Sequence, residues 1–286
     1  MTASSSAQVR LSLYLQPAPA PALIGCAGWY GLAAAKQFHC TSPDASLVVL
    51  DSQSSLGGTW AEERLYPGLK SNNLLGTYEY PDFPMDPATF GVKPGEHIPG
   101  EKVNAYLKAY AAHYGIAAKV RLRTKVLSAA HQDTAEGGWA FTVEDSDGSQ
   151  SRLQGRRLIC ATGLTSEAFL PRFEGQESFG GRIFHGKDFG ANRDTLETAR
   201  SVTVFGGTKF AWDAVYAYGS AGVKVDWVIR CELADCLDNL SPAADTGLAS
   251  GHGPCWMAPP YVTPLKKWIE LLASKWPSPR RPVACR

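Results

Sequence analysis

What this sequence does not contain narrows its class before any motif is read. No apolar stretch approaches the roughly 18 residues that span a bilayer, so no membrane segment is expected. The apolar piece from Arg10 to Leu15 is too short for the usual layout of a secretory signal. Charge of one sign is not in excess: Lys plus Arg number 28, Asp plus Glu 27. That balance leaves no global field for nucleic acid or acidic lipid. The seven cysteines are odd in number and scattered, unlike a disulfide framework, and point to a reducing, cytoplasmic setting. No cluster of His, Ser or carboxylates reads as an independent acid–base site, and no metal site is expected.

What the sequence does contain is glycine at strand–helix junctions. The chain has 286 residues, 44% of them hydrophobic and 19% charged, which describes a globular protein long enough for two domains. Ala22-Leu23-Ile24-Gly25 reads as a short strand and Trp29 to Phe38 as the helix after it. Gly28 and Gly31 between them have the spacing of the last two glycines of G-x-G-x-x-G. A diphosphate at such a helix N-terminus meets free backbone N–H groups and the positive end of the helix dipole. The next strand, Ser46 to Leu50, ends in Asp51, twenty positions past Gly31, where a carboxylate can accept ribose hydroxyls. One position departs: Cys26 stands where the first glycine belongs, with Gly25 one residue early.

Further along stand Leu56-Gly57-Gly58-Thr59-Trp60, then Leu69-Lys70-Ser71-Asn72 and Tyr80-Pro81-Asp82-Phe83-Pro84. An acidic residue, a short loop and GG-x-W resemble the pattern of NADPH-dependent, FAD-containing (class B) flavin monooxygenases. The resemblance places Gly57, Gly58, Thr59 and Trp60 along the flavin's ribityl and diphosphate region and Val126 among the flavin-contacting positions. It places Asn72 beside the isoalloxazine ring, as the candidate catalytic residue; a loop cap at Asn72 or Asn73 is the competing reading of these asparagines. Glu101 to Tyr114 carries apolar residues at helical spacing and reads as core. Gly137-Gly138 and Asp147-Gly148 punctuate short alternating runs, which predicts an antiparallel meander. Leu158 to Ala161 reads as a buried strand running into Thr162-Gly163, similar to the strand that closes the family's first domain.

The spacer Phe179-x-Gly181-x-x-x-His185-x-x-x-Phe189 matches the monooxygenase fingerprint and resembles its hinge strand between two nucleotide domains. Phe in place of Trp at the last position makes the Baeyer–Villiger version a poorer fit. Ser201 to Phe205 then forms a second strand signature opening into Gly206-Gly207-Thr208, with Trp212 to Tyr218 as helix and Val223 to Ile229 as strand. This unit resembles the family's G-x-G-x-S-[AG]-x-D turn, with Asp213 in register, Thr208 for the second glycine and Phe210 for the small hydroxyl residue. Arg230 ends the second strand, where a guanidinium can pair with a 2′-phosphate and favours NADPH over NADH.

These readings imply an α/β protein of two Rossmann-like dinucleotide-binding domains with a β-meander insertion. Residues 22–175 would hold FAD and residues 176–275 NADPH, with an irregular insertion near 231–249 and poorly ordered tails at 1–21 and 276–286. The resemblance fits most of residues 22 to 275 and implies that the C-terminal half of the family fold is missing. It also implies oxygenation of a small organic substrate by O2, in the manner of fungal enzymes of secondary metabolism. An inactive truncated relative is the alternative. Cys231-x-x-x-x-Cys236 has the spacing of the redox pair in flavin disulfide reductases. Their pair, however, directly follows the first glycine turn, where this chain has Trp60.

Overall fold

The structure, a computed structural model, describes residues 22–133, 137–163 and 167–229. In chain order the strands and helices are β1 (Ala22–Gly25), α1 (Trp29–Thr41), β2 (Leu47–Leu50), β3 (Lys70–Leu74), α2 (Pro87–Phe90), β4 (His97–Pro99), α3 (Gly100–His113) and β5 (Val120–Arg121). They continue as β6 (Thr124–His131), β7 (Trp139–Asp145), β8 (Gln150–Gly155), β9 (Arg157–Cys160), α4 (Thr195–Thr198), β10 (Ser201–Phe205), α5 (Lys209–Ser220) and β11 (Lys224–Val228).

A four-stranded parallel sheet, β5-β2-β1-β9, forms the first α/β unit. Its central strand is apolar because both its faces are covered, as parallel strands require; Leu23 and Ile24 are buried, and Ile24 pairs with Val49 on one side and Ile159 on the other. The helix α1 buries Gly31, Leu32 and Ala35 on one stripe against the sheet. The antiparallel meander β6-β7-β8 follows the β5 edge, as the glycine punctuation predicts. Phe141 and Val143 point from β7 into a cluster with Leu23 and Leu50, so the meander covers the sheet. The segment read as helical between Glu101 and Tyr114 is α3, with Val103, Tyr106, Leu107 and Tyr110 buried at i, i+3, i+4 and i+7.

Aromatic rings join these elements. Trp29 at the start of α1 stacks on Tyr78 at 4.0 Å and Tyr80 at 4.7 Å, and Tyr80 stacks on Tyr110 at 4.0 Å. Their polar ends are satisfied, as buried tyrosines require: the Tyr80 hydroxyl donates to the Trp29 carbonyl at 2.6 Å and the Tyr106 hydroxyl to the Phe83 carbonyl at 2.5 Å. The second α/β unit is smaller: β10 and β11 pair in parallel, and α5 crosses between them. A cluster of Tyr66, Leu69, Phe189, Tyr218 and Val223 packs the two units together. Among the described residues no helix is long and apolar enough to cross a membrane. Arg230, the Cys231 and Cys236 pair, the expected insertion near 231–249 and both expected tails lie outside the described residues.

Candidate functional site

The first glycine turn is built by close approach of helix to strand. A β-carbon at Gly31 would lie 1.8 Å from the Cys26 carbonyl oxygen, so no side chain fits without moving the backbone. Cys26 has φ +85°, the left-handed region that glycine adopts freely and other residues at a cost of about 1–2 kcal/mol. The chain thus keeps the glycine conformation at the departing position. Gly25 is under no such constraint, since an added β-carbon would make an ordinary 3.7 Å contact with Thr162. Burial and then the neighbouring Asp51 carboxylate push the Cys26 thiol up to about 11, which keeps it protonated and weakly nucleophilic.

Asp51 lies at the end of β2 and is 5% exposed. One carboxylate oxygen accepts from the Ala27 N–H at 2.7 Å and the other from the Gln53 N–H at 2.9 Å. It therefore holds the glycine turn in shape. Each oxygen keeps a second lone pair that could accept a hydroxyl.

The Gly57-Gly58 loop lies directly on this turn. A β-carbon at Gly58 would meet the Gly28 Cα at 2.7 Å, so the two glycine motifs, separate in sequence, are in backbone contact. Asn104 of α3, 4% exposed, fixes the loop by donating from one amide to the Leu56 carbonyl at 2.8 Å and the Trp60 carbonyl at 2.7 Å. The Trp60 indole N–H donates to the Tyr78 hydroxyl at 3.0 Å, which aims the ring. Glu63 ties the loop's other end through Ser54 and Ser55. Burial opposes ionisation of Glu63, but hydrogen bonds from Ser55 and Ser54 outweigh it and hold its carboxyl below the usual range.

The structure places the remaining predicted residues with different degrees of convergence. Asn72 is exposed on β3 and lines a cavity of about 200 Å³ together with Thr59, Trp60, Tyr78, Lys209 and Phe210. Val126 lies on β6, its side chain partly buried against the Phe141 and Val143 cluster. Gly163 is exposed beyond the end of β9. In the spacer, His185 is partly buried and its Nδ1 accepts from the Lys187 N–H at 3.0 Å, making it the cap of a short 3₁₀ turn. Phe189 is 2% exposed and packs 5.3 Å from Tyr66, whereas Phe179 is exposed.

At the second turn, Thr208 is extended at the N-terminus of α5, and the indole N–H groups of Trp227 and Trp212 donate to the Gly206 and Gly207 carbonyls. Phe210 packs against Gly186 of the spacer and 6.0 Å from the Tyr66 ring. Asp213 is 4% exposed; Lys209 donates to its Oδ2 at 2.5 Å and Tyr66 to the same oxygen at 2.6 Å. Burial pushes the Asp213 carboxyl up, and Lys209 and Tyr66 offset part of that push.

Sequence reasoning missed Arg64, Tyr66, Tyr78, Asn104 and Lys209. Four of these line the cavity and the fifth, Asn104, holds its tryptophan. Lys209 occupies a variable position of the second glycine motif, the other four belong to none, and Asn104 sits on a helix face that reads as core. A polar residue at that core face was the available signal.

A profile of the flavin-binding monooxygenase-like family matches residues 21–215. An FAD-dependent monooxygenase of Pyrenophora dematioidea is 44% identical over 214 residues, covering 71% of this chain and 38% of that protein. The FAD-dependent monooxygenase resA of Aspergillus sclerotiorum is 40% identical, covering 71% of this chain and 36% of its own length. The chain therefore spans under two fifths of the length of these curated relatives. In fold it resembles a substituted cyclohexanone monooxygenase from Rhodococcus sp. Phi1 bound to NADP+, with TM-score 0.62, 23% identity, 75% of this chain and 39% of that one.

Proposed function

The chain belongs to the flavin-binding monooxygenase-like family, and on that premise we propose that it holds FAD at the first glycine turn and NADPH at the second. The reaction served would be oxygenation of a small organic molecule by O2. The contact of Gly58 with Gly28 carries this reading, because it joins two motifs that only a dinucleotide site needs together. The residues fit the cofactors. At the first turn, Gly28 and Gly31 leave the backbone bare, and Asp51 keeps lone pairs for a ribose. At the second, the first N–H groups of the 12-residue α5 are free of intrahelical partners. Phe210 packs toward Tyr66 and Gly186.

Bound FAD would supply hydride acceptance and oxygen activation, the chemistry that no side chain here can perform. The chain's own residues would bind, orient and exclude water. Trp60, aimed by Tyr78 and held by Asn104, would wall one side; Asn72, with an amide donor and acceptor, would face the reacting centre. His185, beside the second turn through Gly186, would set the spacer against α5. The reading assigns residues 22–175 to the FAD unit and those from 176 to the NADPH unit. Preference for NADPH rests on Arg230 in the sequence. The fungal sources of the relatives agree with a role in secondary metabolism.

The test is spectroscopic and kinetic. Purified chain with added FAD is expected to retain the flavin absorbance through gel filtration. This chain, or its fusion to the remaining length of the Pyrenophora relative, is expected to oxidise NADPH only when O2 is present. Flavin retention by the chain without NADPH oxidation by either form would favour a nucleotide-binding but inactive relative. No flavin-dependent turnover by the fusion would sink the activity.

A further inference from the structure

The cavity wall at Trp60 and Tyr78 is one end of a row of aromatic rings that runs to the surface. The Trp60 indole N–H donates to the Tyr78 hydroxyl at 3.0 Å, with the ring centres 6.2 Å apart. Tyr78 stacks on Trp29 at 4.0 Å, Trp29 on Tyr80 at 4.7 Å, and Tyr80 on Tyr110 at 4.0 Å. Tyr110 meets Tyr114 edge-on at 4.9 Å. Tyr114 is half-buried just past the end of α3, and its hydroxyl donates to the Asp82 carbonyl at 2.9 Å on the outside of the molecule.

Packing alone does not ask for these residue types. A buried tyrosine carries a hydroxyl that must find a partner, a cost that phenylalanine avoids. Yet every member of the row is Trp or Tyr, and Tyr80 and Tyr110 are 5% and 2% exposed. Phe83 and Phe90 pack beside the row and not in it. Indole and phenol rings give up one electron far more readily than a phenyl ring does. Exchange between rings in contact is fast, because electronic coupling falls steeply with distance. The row also has one place to release a proton. Burial pushes the Tyr80 and Tyr110 hydroxyls up, so both stay neutral phenols. The Tyr80 hydroxyl is held by the Trp29 carbonyl, which takes no proton. An oxidised phenol settles where its proton can leave, and in this row that is Tyr114. The Lys36 ammonium, 5.0 Å over the Tyr114 ring, opposes a positive charge on that ring but not a neutral radical.

We propose that this row is a one-electron path that carries an oxidising equivalent from the cavity wall at Trp60 to the surface at Tyr114. The oxidant is an oxidised flavin excited by light. Trp60 gives it one electron, Tyr114 refills Trp60 through the rings between them, and the Tyr114 hydroxyl loses its proton to water. A soluble thiol then returns one hydrogen atom to Tyr114 and leaves as a thiyl, two of which join as a disulfide. The flavin gains one electron, the thiol loses one, and the protein ends unchanged. Such a path spares the cavity wall from oxidation. The flavin as oxidant rests on the FAD reading of the first turn; the path from Trp60 to Tyr114 does not.

Blue-light illumination of the full chain with FAD, a nitroso spin trap and no thiol, followed by peptide mass spectrometry, tests the proposal. The trap is expected on Tyr114. Tyr110→Phe keeps a ring in place and removes the oxidisable phenol. It is expected to lose the Tyr114 adduct, with trapping on Trp60, Tyr78 or Trp29 instead. Tyr30→Phe, which removes the exposed phenol next to Trp29 in the chain, is expected to keep the Tyr114 adduct. Should Tyr110→Phe fail to fold, Trp29→Phe breaks the row at another ring and is expected to give the same loss. No Tyr114 adduct in the illuminated, FAD-loaded chain overturns the proposal, as does an undiminished adduct in the variant that folds. An adduct on Tyr30 in place of Tyr114 overturns it as well, since the path would then end at Trp29. The same trapping without FAD, with azide radicals taking one electron from the indoles, keeps the two readings apart. Tyr114 labelling that depends on Tyr110 in a chain that retains no FAD would leave the path standing and count against the flavin reading. Labelling independent of Tyr110 in that arm overturns the path.

Discussion

The Tyr66 hydroxyl donates a 2.6 Å hydrogen bond to the buried carboxylate of Asp213, 147 residues away in sequence. Tyr66 belongs to the segment after the Gly57-Gly58 loop and Asp213 to α5 of the second unit, so one bond joins the two units. Asp213 Oδ1 has no partner among the described residues, which makes the two bonds to Oδ2 its whole compensation for burial. Tyr66→Phe removes one of them and keeps the ring packed on Phe189. Leaving a buried charged acceptor less satisfied costs about 1–3 kcal/mol. A fall of that size in unfolding free energy, measured by urea titration, is expected; an unchanged midpoint would show that the two units do not rely on this bond.

Asn104 makes a comparable claim on the first unit. Its amide satisfies two carbonyls, Leu56 and Trp60, that bracket the glycine pair. Asn104→Leu keeps the volume and removes both donors, and is expected to cost about 1–3 kcal/mol. The loop carrying Trp60 would loosen with it, so FAD retention should fall by more than in a core variant of equal stability loss, such as Leu107→Val. Equal retention in the two variants would argue against a role for Asn104 in shaping the site.

The parts of this fold that were legible in sequence are those whose signal is local. β1 and β10 begin and end where the sequence places them, and the meander strands turn at Gly137-Gly138 and at Asp147-Gly148. The start of α5 was misplaced at Trp212; the helix begins at Lys209 because Thr208 takes the extended cap position and accepts from the Trp212 N–H. The cavity was not legible, since its walls come from residues 59–78 and 209–210, which only tertiary packing brings together. Arg64 is the instructive case. It was not singled out in Glu62-Glu63-Arg64, yet it lines the cavity while Glu63 is turned to Ser54 and Ser55.

The same limit revises the expectation for Phe210. From sequence alone, Phe210→Ser restores a hydroxyl to the second turn and should improve NADPH binding. The structure adds that the ring packs against Tyr66 and Gly186 between the units. Truncating a packed phenylalanine costs about 3–5 kcal/mol when fully buried; for this partly buried ring a smaller loss, about 1–3 kcal/mol, is expected in urea titration. Tighter NADPH binding in a chain of unchanged stability would show that Phe210 blocks the nucleotide and does not hold the interface.

Cys26 offers a test of the first turn that needs no bound cofactor. With its thiol pushed up to about 11 by burial and by Asp51, the thiolate fraction at pH 8 is on the order of one in a thousand. Alkylation by iodoacetamide, followed by peptide mass spectrometry, is expected to modify exposed Cys40 and Cys160 well before Cys26 at pH 8. The Cys26 rate should keep rising through pH 10. Cys26→Gly removes both the thiol and the strain of a side chain at φ +85°. Relief of that strain, about 1–2 kcal/mol, is partly cancelled by the greater freedom of glycine in the unfolded chain, about 0.4–1 kcal/mol. The variant should therefore be equally or slightly more stable, and FAD should bind it more tightly because Sγ no longer lies beside Gly28 and Gly58. Weaker FAD binding by Cys26→Gly, in a chain at least as stable, would mean that the thiol takes part in holding the flavin.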